Sequence, residues 1–308
     1  MIRKDDNLTC NRSVIILQIR EATYFMFRAS KSMINLSLMT FNIAHGRGLS
    51  LYQGFHSSRG IKKNLMKIAE VIQTHQPDII ALQEVDESSH WNKHIDLLTF
   101  LKENTGYEFS SHGIHNTRDG RKPLAYGNAF LSKYPIVDSI VTPFGEKSLG
   151  EKGFMEVIVE VDGIKIDVIN LHLDFRSRKT RIQQAERIIE KLERRKEIDR
   201  HHLPPIICGD FNTTSKATHD ALHQMIKHTA IHGDYDYFPK EELTFPSHFP
   251  ARGLDFVLSA NPFRVQSSQA IRCHASDHLP VIANISLSYQ DYETYTTHPS
   301  SDTKEANP

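Results

Sequence analysis

Pro205-Ile206-Ile207-Cys208-Gly209-Asp210-Phe211-Asn212 is an apolar run that stops at a glycine and then presents an acid and an amide. The apolar part has the length and composition of a strand buried on both faces. Such a strand delivers Asp210 and Asn212 to one spot at the edge of a sheet. A carboxylate can ionise, accept a proton or hold a cation, and an amide can donate to an anionic oxygen without titrating. That pairing suits phosphate chemistry. Alone, the tetrapeptide is a turn, because Gly, Asp and Asn are the usual turn residues. The other strands decide between the two readings.

They finish in the same way. Asn42 closes a strand in Thr40-Phe41-Asn42-Ile43, and Glu84 closes another in Leu82-Gln83-Glu84-Val85. His172 ends Asn170-Leu171-His172-Leu173, Asp255 sits in Gly253-Leu254-Asp255-Phe256-Val257, and Asp277-His278 precedes Leu279-Pro280. Each residue has a bland explanation as a turn former, a solvated strand end or a satisfied core histidine. Their joint recurrence does not, since ligands in α/β folds gather where strands end.

Between these points the pattern alternates. Strands are expected at Ile34–Ile43, Asp78–Glu84, Ala129–Ser132, Ile136–Val141, Leu254–Ser259 and Leu279–Leu287. Two more, Phe154–Val161 and Ile164–Leu171, are joined at Asp162-Gly163, a hairpin signature. Helices are expected over Ile61–Gln73, Trp91–Asn104, Arg178–Arg200 and near Lys216–Lys227, each with apolar residues at helical spacing. Hairpins mixed with helical crossovers predict one α/β domain with mixed sheets, covering 33–288. Residues 1–32 read as an N-terminal extension or a misassigned start, and 289–308 as a polar disordered tail.

The chain has 308 residues, 39% of them hydrophobic and 24% charged, with formal net charge +0. That composition supports a sizeable core. The zero balance argues against holding nucleic acid by bulk electrostatics, though not against a local basic groove. The three cysteines, Cys10, Cys208 and Cys273, form no zinc motif or disulfide framework, which favours a reducing, cytoplasmic compartment. No stretch is long enough to span a membrane.

The six motifs, in this order, resemble the set of the endonuclease/exonuclease/phosphatase superfamily, over about Leu38 to Ile285. The resemblance implies a DNase I-like four-layer α/β/β/α sandwich with two β-sheets face to face. It implies a hydrolase of phosphoester bonds using Mg²⁺ (or Mn²⁺), with Glu84 as metal ligand and Asn42 and Asp277 beside it. His172, Asp210, Asn212, Asp255 and His278 are the implied catalytic set. In it Asp210 holds the attacking water and Asn212 a phosphate oxygen. Asp255 orients His278, and His172 contacts phosphate or the leaving group. Whether Asp210 or His278 takes the proton is left open. His45, Arg47, Asn128 and Arg176 are candidate substrate contacts.

Ala44 and Val85-Asp86-Glu87 stand where abasic-site endonucleases of the superfamily carry an acid and a lysine. Tyr126-Gly127 stands where deadenylases carry Glu-Gly. The segment Asn42-Ile43-Ala44-His45-Gly46-Arg47-Gly48 is similar to bacterial metal-dependent hydrolases of the superfamily. The expected substrate is a small or lipid-linked phosphoester. A nuclease is the alternative, and a non-catalytic binding protein on the same fold the contrasting class.

Overall fold

The computed structural model describes residues 32–50, 52, 54–145, 151–198, 202–228 and 235–297. The extension assigned to 1–32, apart from Ser32, and everything beyond 297 lie outside the described residues.

Among these, twelve strands build two sheets. In chain order they are β1 (Met33–Asn42), β2 (Ile79–Asp86), β3 (Phe109–Arg118), β4 (Leu124–Ser132), β5 (Ile136–Pro143) and β6 (Gly153–Val161). Then follow β7 (Ile164–His172), β8 (Ile206–Asp210), β9 (Asp236–Phe238), β10 (Asp255–Ser259), β11 (Arg264–Ala270) and β12 (Val281–Ser288). One sheet has the order β11-β12-β1-β2-β4-β3 and the other β5-β6-β7-β8-β10-β9. Each contains a single parallel pair, β1 with β2 and β7 with β8, among antiparallel neighbours. The sheets are therefore mixed, as the hairpins and crossovers predicted.

The side-chain pattern explains the layering. On β1, Leu36 and Leu38 point into the core between the sheets, where they meet Phe130, Val157, Val168 and Val257. Met39 and Phe41 point the other way, onto Ile61, Leu65, Ile68 and Ile72 of α1 (Ser58–His75). Ser57 caps that helix by accepting from the backbone N–H of Gly60, and left-handed Gln76 ends it before Pro77. The second sheet repeats the arrangement. Ile169, Leu171, Ile207 and Phe211 pack under Ala185, Ile188 and Leu192 of α3 (Arg178–Ile198) and Leu222 and Met225 of α4 (Ala221–His228). The result is the four-layer α/β/β/α sandwich.

Near the site end, polar residues cross the inter-sheet core. Gln83 donates to Thr40 Oγ1 at 3.0 Å and to Asn170 Oδ1 at 2.7 Å, and Asn170 donates to the carbonyl of Leu82 at 2.9 Å. Asn128 donates to the carbonyls of Asn170 at 3.0 Å and Gly153 at 3.3 Å, and it is fully buried. Asn128 is thus a strut tying β4 to the opposite sheet, not a substrate contact. Sealed from water, these amides are fixed by each other's geometry, which locks the sheets in register beneath the site.

Two expectations are corrected. Trp91–Asn104 is not one helix. His90–Asn92 is a single 3₁₀ turn, Lys93 and His94 are left-handed (φ 62 and 57), and α2 starts only at Leu97, capped by Asp96, and runs to Thr105. The expected tail is helical over α5 (Tyr289–Thr297), whose buried Tyr289 closes the end of the inter-sheet core. The polar strands β3, β9 and β11 escaped notice because they lie at sheet edges, where no apolar run is required. Among the described residues, no helix is long and apolar enough to cross a membrane.

Candidate active site

The carboxyl ends of β1, β2, β7 and β8 and the start of β10 lie at one end of the sandwich, and the site is built there. Parallel pairing sets His172 beside Asp210, and antiparallel pairing sets Asp255 beside Asp210. Gly209 makes that convergence possible. With φ 143, a Cβ on it would lie 1.9 Å from the carbonyl oxygen of Leu171. Glu84 occupies a β-bulge where the β2–β4 register slips between Leu82 and Val85. Its φ of 57 turns its side chain toward the site rather than a sheet face. Asn212 (φ 50), Ala44 (φ 49) and His45 (φ 54) are also left-handed, so β1 and β8 leave their sheets, and β2 bulges from its ladder, through strained steps.

Asp210 and Glu84 are the two foci. Asp210 accepts from Asn42 Nδ2 at 3.0 Å and from the backbone N–H of Asn212 at 2.9 Å. His172 Nε2 lies 3.5 Å and His278 Nε2 3.7 Å from Asp210 Oδ2. His278 Nδ1 donates to Asp255 Oδ2 at 2.9 Å, and Asp255 in turn accepts from the Thr244 hydroxyl at 2.5 Å. Asn212 gives one amide N–H to the carbonyl of Leu173, at 3.0 Å. Around Glu84 stand His45 Nε2 at 3.4 Å, Lys152 Nζ at 3.5 Å and His172 Nε2 at 3.9 Å. Arg47 reaches across to Asp277, at 2.6 Å.

The charges are strongly biased. Burial alone would raise the Glu84 carboxyl, but His45, Lys152, His172 and Arg47 override it and hold it well below the carboxylate range. Burial pushes Asp210 up to about 7 despite the pull of His278. Burial opposes charge on His278, yet Asp255 and Asp210 lift it to about 10. Burial and the Lys152 ammonium drive His172 far down, so its ring is neutral and accepts from Lys152 at 2.8 Å. The resting site therefore offers a basic carboxylate at Asp210, an imidazolium at His278 and a fixed ammonium at Lys152.

All eight predicted catalytic and metal-binding residues come together here. Of the candidate substrate contacts, Arg47 joins them through Asp277, and Arg176 is exposed on the loop after His172, stacked over Phe175 at 4.9 Å. His45 is buried, with its ring turned onto Asp86 rather than outward. The sequence reading missed Lys152 and Asp86. Lys152 was partly within reach: counting back from the Asp162-Gly163 turn sets Gly153 opposite His172, so the preceding lysine falls at the same end of the sheet as that histidine.

A family model described as "Endonuclease/Exonuclease/phosphatase family" matches residues 39–278. The chain belongs to this endonuclease/exonuclease/phosphatase family. It is accordingly an enzyme, a hydrolase of phosphoester bonds. Solved structures with the family fold include an endonuclease/exonuclease/phosphatase family protein from Bacteroides thetaiotaomicron. It is 17% identical, with a TM-score of 0.64, covering 84% of this chain and 98% of that one. A mannosyl-6-phosphatase of the same organism is 17% identical, with a TM-score of 0.62 over 81% and 99% of the two chains. ANGEL2, described as a 2',3'-cyclic phosphatase, is 16% identical, with a TM-score of 0.61 over 83% and 96%. At such identities these likenesses speak to the fold. No curated protein matches the chain in sequence.

Proposed function

We propose that this family member is a divalent-metal-dependent phosphoesterase that cleaves a P–O bond by attack of water. The observation that carries the reading is the division of the site into an open and a sealed half. The Glu84 and Asp277 side chains keep 17% and 16% exposure, whereas those of Asp210, Asp255 and His278 keep 1%, 0% and 7%. Mg²⁺ prefers hard oxygen donors and retains several waters, so it fits the open half, held by Glu84 and Asp277, while Asn42, buried with its Nδ2 on Asp210 and its Oδ1 on the Ala44 N–H, belongs to the sealed half. Mn²⁺ suits the same donors. The ligand atoms of Asp210, Asp255 and His278 also lie within 4.8 Å of one another. Those atoms are largely committed to hydrogen bonds in a sealed space, which suits a proton relay better than a hydrated ion.

When bound, the cation supplies charge neutralisation for the phosphoryl oxygens. The chain's own groups do the rest. Asp210, raised by burial, is the better acceptor for the proton of the attacking water. His278, held as imidazolium by Asp255, contacts a phosphate oxygen. Lys152 and the second amide N–H of Asn212 stabilise the charge that accumulates there. The test is hydrolysis of bis-p-nitrophenyl phosphate, sphingomyelin, phosphoinositides, DNA and RNA with Mg²⁺ or EDTA. Turnover that survives EDTA, or survives Glu84→Gln undiminished, refutes the metal reading.

The substrate is read first as a small or lipid-linked phosphoester. One observation favours a second reading, single-stranded nucleic acid. Phe55, Phe175 and Phe249 are exposed by 85%, 58% and 76% on three loops from different sides of the site end. The stretches 52–63, 175–179 and 247–252 carry Arg59, Lys62, Lys63, Arg176, Arg178, Lys179 and Arg252 and no Asp or Glu. Asp174, just before the second stretch, uses its carboxylate on the backbone N–H of Arg176 and Ser177. A balanced whole chain thus conceals a basic, aromatic rim of the kind that stacks bases. Anisotropy of labelled oligothymidylate in EDTA decides: salt-sensitive binding weakened in Phe175→Ala supports it, and no binding ends it.

A further inference from the structure

His45, Asp86 and Trp91 form a chain of contacts ending on Glu84, buried at His45 and Asp86 and half-buried at Trp91. The imidazole of His45 sits in the 3₁₀ turn Ala44–Gly46 that follows β1. Its Nδ1 lies 2.8 Å from Asp86 Oδ2, and the other oxygen of Asp86 accepts from Trp91 Nε1 at 2.8 Å. Asp86 is the last residue of β2, two positions after Glu84, with no exposed surface. The rings of Trp91 and Tyr126 each stand 4.9 Å from the imidazole, edge to face, so it has no room to swing. Its remaining nitrogen, Nε2, is aimed at Glu84 Oε2 at 3.4 Å.

The imidazole bridges two carboxylates, hydrogen-bonded to Asp86 through Nδ1 and standing 3.4 Å from Glu84 through Nε2. Glu84 needs such an anchor. It stands in a bulge with a left-handed backbone, outside the sheet ladder that would otherwise fix its direction. His45 holds Oε2 from one side while Lys152 holds Oε1 from the other, at 3.5 Å. A ligating histidine is commonly oriented by a carboxylate behind it. Here the same device is one link longer, carboxylate to imidazole to ligating carboxylate, and an indole fixes the far end.

We infer that His45, Asp86 and Trp91 are positioning residues that hold Glu84 in the orientation that receives the divalent cation. This rests on Glu84 being a metal ligand. The loop around His45 is then part of the metal site's support and not a substrate subsite.

The experiment is Mn²⁺ titration of the full-length protein by calorimetry and by the EPR signal of free Mn²⁺. The variants are Glu84→Gln, Asp86→Asn, His45→Ala, His45→Gln and Trp91→Phe, each with a melting curve. Asp86→Asn and His45→Ala should weaken Mn²⁺ binding about 10- to 100-fold. Trp91→Phe should weaken it less, and His45→Gln, whose amide can still donate to Glu84, should recover part of the His45→Ala loss. With saturating Mn²⁺, kcat of Asp86→Asn should return most of the way to wild type. Wild-type affinity in Asp86→Asn and Trp91→Phe, with Glu84→Gln impaired, overturns the relay alone. If Glu84→Gln binds Mn²⁺ as wild type does, the metal assignment fails instead. Should His45→Ala not fold, the affinities of Asp86→Asn and Trp91→Phe decide between the two outcomes.

Discussion

Replacing Lys152 by methionine should separate stability from catalysis. Lys152 lies at the mouth of β6 with its side chain 8% exposed and its ammonium 3.5 Å from Glu84 Oε1. At an effective dielectric near 20, that separation corresponds to a gross attraction of about 5 kcal/mol. Removing the ammonium also removes a desolvation cost of several kcal/mol, so the two terms largely cancel. Glu84 is not left as an unpaired buried charge, because His45 remains at 3.4 Å. Met fills a similar volume, and the net change in unfolding free energy should fall within about 1 kcal/mol of zero. In the proposed reaction the lysine's charge matters most when negative charge builds on the phosphoryl oxygens. Losing one such donor costs about 10²–10³ in kcat. The assay is kcat for bis-p-nitrophenyl phosphate at saturating Mg²⁺, beside urea unfolding. A variant with kcat within about fivefold of wild type refutes the catalytic placement. One destabilised by about 3 kcal/mol or more refutes the cancellation.

Further outcomes are expected elsewhere. Asp255→Asn should free the His278 ring and lower its affinity for a proton, reducing kcat at least ~100-fold; NMR titration of His278 and steady-state rates check both. Burial and the Lys152 charge hold His115 at about 4, below its ordinary value of 6.5. The unfolded chain then binds the extra proton first, so stability is fully present above pH 6.5 and falls as the pH drops toward 4, by about 3 kcal/mol. His115→Asn should flatten the urea midpoint against pH in that window, and an unchanged slope refutes it. Gly209→Ala would drive a Cβ to 1.9 Å from the Leu171 carbonyl oxygen. Because backbone cannot yield cheaply there, it should abolish soluble expression or lower the melting temperature severely, as circular dichroism would show.

Much of this was legible because the catalytic strands are buried on both faces and stop abruptly. Ile206–Cys208 announces a strand and Asp210 its end, and the same contrast exposed Asn42, Glu84 and His172. Residues whose partners come from distant segments were harder to place. Nothing local marks Asn128 as a strut, because its carbonyl partners lie in the opposite sheet. Asp86 looks like an ordinary strand-end acid until the chain returns with Trp91. The late start of α2 was hidden because Ile95, which precedes it, keeps helical spacing with Leu98 and Leu101. The edge strands β3 and β11 were silent, since half-exposed polar strands lack the apolar pattern that identifies the rest.

The left-handed residues at the site carry a consequence for how such a chain can change over time. Ala44, His45, Glu84 and Asn212 take φ values between 49 and 57. For residues with a β-carbon this conformation costs about 1–2 kcal/mol each, less for asparagine. Together they consume several kcal/mol of a net stability that is only about 5–15 kcal/mol for a domain. Glycine at any of them would relax the backbone, and at His45, Glu84 or Asn212 it would delete a group the site uses. A lineage released from the need to hydrolyse phosphoesters would therefore drift toward glycine at these strand exits and become more robust as it did so. At those three positions the backbone strain accompanies a group that the site uses.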